Sequence, residues 1–173
     1  MTIQKPQDTE FAPFYAGYID KVSTLGPVGL LESQLDAFDL LRQVPADETN
    51  HKYSEGKWSV KEVVGHIADA ERVFAYRLLR IARGDQTPLP GFDENAWAKA
   101  APHGDRRLAD IADELIAVRR GTIALVASLD DAALSRTTLA NNKSVSARAI
   151  CWIIPGHAQH HLEILRERYG VKV

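Results

Sequence analysis

Four stretches of this 173-residue chain repeat apolar residues at three- and four-residue steps, and nothing in it reads convincingly as a strand. That period keeps one helix face in a core, so the sequence predicts an all-α fold. The first stretch runs from about Val28 to Val44, with Leu31, Leu35, Phe38, Leu40 and Leu41 as its apolar positions and Pro27 and Pro45 as punctuation. The second has the best-defined start. Ser59 reads as an N-cap, Glu62 closes a capping box, and Trp58 and Val63 are placed for a hydrophobic staple. It runs to about Ala82, with Gly84 as its stop, and its stripe is Val63, Ile67, Ala70, Phe74, Leu78 and Ile81.

The third helix is predicted over about Leu108 to Leu129, ended by Asp130-Asp131, and the fourth over about Ser146 to Tyr169, stopped by Gly170. Pro155-Gly156 lies inside the fourth, so a kink or an opened turn is expected there. Helices of this length are about 30 Å long. The link from about Arg83 to Arg107 is long enough to travel that distance back. The expected architecture is therefore a four-helix bundle, a single domain over residues 1–173, with a long crossover between helices two and three that lets those two run parallel.

Composition removes several function classes. A formal net charge of -2, with acidic residues between the Arg pairs, gives no reason to expect nucleic acid. No apolar run approaches the roughly 20 residues that span a bilayer, and residues 1–10 lack the apolar core of a secretory signal. The single cysteine, Cys151, cannot form an internal disulfide. A cytoplasmic location and no membrane partner are expected.

The chemistry is carried by histidines. His157 and His161 are one turn apart on a face that continues through Ile150, Ile154 and Leu165, and His66 sits at the edge of the inward stripe of the second helix. A buried imidazole nitrogen without a partner costs about 1–3 kcal/mol. One divalent ion satisfies a nitrogen on each ring and keeps a further position open for water or substrate. His66, His157 and His161 are therefore the predicted metal ligands. His160 lies on the flank of its helix and is expected at the surface or a subunit contact, and His51 and His103 fall in loops expected to be solvated. Glu62 and Asp69 are weak catalytic candidates, as a base near His66 or as an acceptor for its second ring N–H. Arg77 is read as a snorkelling or ion-paired side chain, with contact to an anionic substrate as the alternative. Cys151 is read as a buried, inert thiol, Glu163 as surface, and Phe92 and Trp97 as packing for the crossover, with walls for the metal pocket as their second use.

W-S-V-K-E-V-V-G-H-I-A-D-A-E-R over Trp58 to Arg72 and G-H-A-Q-H-H-L-E-I-L-R-E-R-Y over Gly156 to Tyr169 resemble the DinB/YfiT-like superfamily. P-G-F-D-E-N-A-W over Pro90 to Trp97 and Y-I-D-K-V from Tyr18 add to the likeness. The resemblance implies a four-helix bundle with parallel second and third helices and a divalent metal on three histidines. The family's first ligand falls on His66 and its terminal pair on His157 and His161. It also implies a relation to transferases that use low-molecular-weight thiols such as bacillithiol or mycothiol. The expected function is a metal-dependent transferase joining such a thiol to an electrophilic small molecule. A metal-dependent hydrolase, or a non-enzymatic stress-response binding module with a structural metal, is the alternative. Zinc or nickel is the favoured metal, and a homodimer is compatible with the bundle faces.

Overall fold

A computed structural model describes residues 2–22 and 24–173. Four long helices form the bundle: α2 (Gly26–Leu40), α3 (Val60–Ala82), α5 (Leu108–Ala127) and α7 (Ala147–Tyr169). Shorter elements lie between them: α1 (Ala16–Ile19), α4 (Glu94–Ala100), α6 (Asp131–Leu134), and strands β1 (Thr137–Ala140) and β2 (Lys143–Ser146). The four predicted helices are all present, each with ends within a few residues of the expectation.

Local chemistry explains the helix ends. The Ser59 N–H donates to Glu62 Oε2 at 2.6 Å while Ser59 Oγ accepts from the Glu62 N–H at 3.3 Å, the reciprocal capping box at the head of α3. Ser146 Oγ accepts from the Ala149 N–H at 2.9 Å and starts α7. Gly170 closes it at φ 71°, a left-handed conformation that glycine adopts without strain. Asp130 behaves differently from the expectation: its carboxylate accepts from the Ala133 N–H at 2.7 Å and caps α6 rather than merely ending α5.

Cross-helix contacts fix the directions. Residues 60–68 of α3 share a core cluster with residues 108–116 of α5, Glu71 pairs with Arg119, and Leu78 and Ile81 share the other cluster with Val126. Position rises together along both helices, so α3 and α5 are parallel. On α7 the order reverses. Trp58 accepts a hydrogen bond from the Tyr169 hydroxyl while His66 meets His157, so α3 and α7 are antiparallel.

The two apolar clusters meet at a polar layer. Arg119, fully buried, donates to Glu71 through Nε at 2.8 Å and through its terminal nitrogen at 2.7 Å, and to Gln34 Oε1 at 2.6 Å. Gln34 in turn donates to the Pro155 carbonyl at 3.0 Å. This network ties α2, α3, α5 and α7 together at mid-height.

Three expectations need correction. Residues 137–146 form a β-hairpin with register Thr138↔Val145 and Leu139↔Ser144, turned by Asn141 and Asn142 at φ 51° and 60°. Four-residue strands are too short to show a period, and the signal lay in the Asn-Asn turn, since asparagine tolerates positive φ. The crossover is pinned to this hairpin, with the Leu89 N–H bonded to the Leu139 carbonyl at 2.8 Å. Next, no turn opens at Pro155, and α7 is helical throughout Ala147–Tyr169. The third concerns His103, which is buried and not solvated. Its ring rests where Gly65 has no side chain, because a Cβ there would lie 2.5 Å from the ring carbons.

Candidate metal centre

His66 projects from the second turn of α3, and His157 and His161 project from one face of α7. Each offers a ring nitrogen, and the three nitrogens lie within 4.8 Å of one another. His66 Nε2 and His157 Nε2 are 3.1 Å apart. Two nitrogens bound at about 2.0–2.1 Å to a tetrahedral ion stand roughly 3.3 Å apart, so this spacing fits a shared cation. The predicted trio is the set the fold brings together.

Electrostatics favours the same use. Burial pushes His66 down to about 4, against an opposing pull from Asp69. His157 and His161 are held well below the ordinary histidine range, first by burial and then by their neighbouring imidazoles. All three rings are therefore neutral near pH 7, the state in which an imidazole binds a metal. Aromatic rings hold them in place: Trp58 lies 4.7 Å from His66, and Tyr18 and Phe74 meet His157 edge-on at 5.3 and 5.6 Å between centroids.

Tyr18 reaches His157 because α1 packs against α7 at Gly156. A Cβ at Gly156 would overlap the Tyr18 carbonyl oxygen and stand 2.6 Å from its carbonyl carbon. The Pro155-Gly156 pair is thus a docking point for α1.

The remaining candidates divide. Glu62 is engaged by the α3 cap and by Lys52 at 3.2 Å, and Asp69 faces Arg72 at 3.3 Å and His103 Nε2 at 3.5 Å. Neither carboxylate is bonded to an imidazole of the trio. His160 is half-buried against Tyr18 and stays outside the cluster. Cys151 is buried, and burial pushes its thiol up to about 12, which removes it as a nucleophile. Glu163 accepts a hydrogen bond from Lys21.

A cavity of about 190 Å³ opens beside the trio, lined by His66 and His157 together with Tyr15, Tyr18, Phe74, Arg77, Phe92, Glu94 and Asn141. Phe92 of the crossover therefore does wall the site, whereas Trp97 stacks on Phe92 at 4.8 Å and lines a neighbouring groove. Sequence reasoning missed Tyr15, Glu94 and Asn141. They come from three separate segments, and no local pattern places them beside the histidines. His161 opens on a second hollow bounded by Tyr53, Trp58 and Tyr169.

The parallel pair α3 and α5, the long crossover and a three-histidine group able to bind a divalent metal define the class of protein. The sequence profile of the DinB superfamily matches residues 30–165, and the chain belongs to that superfamily. The fold is similar to that of YfiT from Bacillus subtilis, with a TM-score of 0.71 and 18% identity over 98% of this chain and 95% of that one. YfiT is described as a probable metal-dependent hydrolase with an unusual four-helix bundle topology. A protein of Oceanobacillus iheyensis, provisionally named a metal-dependent hydrolase, is 38% identical over 53 residues, a match covering 30% of each chain. Among the described residues no helix is long and apolar enough to cross a membrane.

Proposed function

We propose that this protein is a metal-dependent enzyme in which His66, His157 and His161 hold one divalent ion, zinc or nickel foremost, and a small-molecule substrate enters the adjoining cavity. The observation that carries this reading is the convergence of three neutral imidazole nitrogens within 4.8 Å, with the buried His66 and His157 at the wall of that cavity. A divalent ion held there supplies Lewis acidity, which lowers the pKa of a coordinated water or thiol and polarises an electrophile. The chain's own residues prepare the place. Burial keeps the rings unprotonated, and Trp58, Tyr18 and Phe74 fix their orientation. With Cys151 inert and Glu62 and Asp69 bonded elsewhere, the nucleophile comes from solution.

Hydrolysis, with water as that nucleophile, is the first reading, supported by the descriptions of the two relatives. Transfer of a low-molecular-weight thiol such as bacillithiol or mycothiol is the second. The family resemblance supports it, and so does the lack of a carboxylate bonded to the trio: a thiol of pKa about 8.5 needs no protein base to ionise on a cation. Elemental analysis of the purified chain is expected to find about one ion per molecule, lost in His157→Ala and His161→Ala. Turnover of an ester and electrophile panel should fall with it. A released acid or alcohol identifies hydrolysis, and a thiol conjugate identifies transfer. Unchanged metal content in both variants, or turnover that survives metal loss, would end the proposal.

A further inference from the structure

Two guanidinium groups are buried in this bundle, and they are treated differently. Arg119 is neutralised by Glu71. Arg77, 4% exposed, has no carboxylate partner among the described residues. It donates to the Pro90 carbonyl at 2.7 Å, lies 5.9 Å over both the Phe74 and Phe92 rings, and has the Tyr15 hydroxyl beside it. Glu94 lines the same cavity but is exposed and makes no ion pair with it. Guanidinium stays protonated at any pH a protein meets, and a buried charge without a counter-charge is costly. One carbonyl, the Tyr15 hydroxyl and two ring faces still leave donors of its five without a protein acceptor, on the wall of a cavity.

Arg77 and His66 belong to the same helix, eleven residues apart, and share a face of α3. Their Cα atoms are about 16 Å apart, and side chains on a helix lean toward its N-terminus. Phe74 bridges the gap, its ring centre 5.9 Å from the guanidinium carbon and 5.6 Å from the His157 ring centre, so the two ends are on the order of 10 Å apart. The cavity has a cationic end, an apolar middle and a metal-ligating end.

We infer that Arg77 is the anion-recognising residue of this cavity and that its substrates carry a carboxylate, joined through an apolar or aromatic body to the group that reacts at the histidines. A carboxylate matches the guanidinium fork and supplies the missing counter-charge. This inference rests on the reading of the cavity as a substrate site and adds the class of molecule that fills it.

The test is calorimetric titration of the full, metal-loaded chain with 4-phenylbutyrate and with its neutral isostere 4-phenylbutanamide. The acid is expected to bind at least tenfold more tightly. Arg77→Met should erase that preference, and Arg77→Lys, which keeps the charge but not the fork, should reduce it several-fold. In His161→Ala the preference should persist. Retention there separates the two claims: if the histidines hold no metal yet the acid preference tracks Arg77, the metal reading falls and the anion subsite stands. Equal or absent binding of the two probes by the unaltered chain overturns the inference, as does a preference unchanged in Arg77→Met or, should that variant not fold, in Arg77→Lys.

Discussion

Replacing Gly156 with alanine sets two effects of opposite sign against each other. Within a helix, alanine is better than glycine by about 0.8–1.0 kcal/mol, so α7 considered alone should gain stability. The structure reverses that. The new Cβ would overlap the Tyr18 carbonyl oxygen and lie 2.6 Å from its carbon, where ordinary contact begins at 3.4 Å, so α1 must retreat by more than an ångström. The obstacle is backbone on both sides and cannot rotate away. Overpacking costs roughly 1–3 kcal/mol, and a backbone obstacle puts this site at the upper end, above the propensity gain; in a chain of this size each kcal/mol moves Tm by about 2–4 °C. Gly156→Ala should therefore melt several degrees lower in circular dichroism. It should also weaken metal retention, because Tyr18 supports His157 from α1. A variant that melts higher than the original chain would refute the close approach of α1 and the account of Pro155-Gly156 built on it.

Other outcomes follow from the same geometry. Arg119→Met leaves Glu71 buried without its partner and should cost about 3–5 kcal/mol, read by urea denaturation, whereas Arg120→Met on the exposed side should cost little. Below pH 6.5 the metal-free chain should lose stability. His66 takes up its proton in the unfolded state near 6.5 but in the folded state only near 4. The unfolded chain thus binds more protons across that window, and stability falls with pH by up to about 3 kcal/mol at pH 4 from this group. His157 and His161 act in the same direction, and a flat Tm between pH 7 and 4.5 would contradict the burial of the trio. Cys151 should be silent to an aromatic disulfide reagent in the native chain and react once per molecule in denaturant. Rapid native labelling would show that α7 is less tightly packed than described.

Much of this protein was legible within windows of a few residues. Ser59 and Glu62 satisfy each other three positions apart, so the capping box and the start of α3 could be read directly. His157 and His161 share a face because of helical pitch alone, and the inward stripe of α3 carried His66 to the same core. The length of the 83–107 link left room for the parallel placement of α3 and α5, which the family resemblance implied. What stayed hidden depends on partners far apart in the chain. Glu71 and Arg119 are separated by 48 residues, and nothing near either one shows that both are buried. His103 read as a solvated loop residue because its shelter is Gly65 on another helix. Arg77 read as a snorkelling or ion-paired side chain because the Pro90 to Phe92 segment that covers it is a crossover without periodicity. Hydrogen bonds and periods confined to one turn are written in the local sequence. Burial and counter-charge are decided by which distant segments pack together, so only the tertiary structure shows the polar layer and the uncompensated arginine.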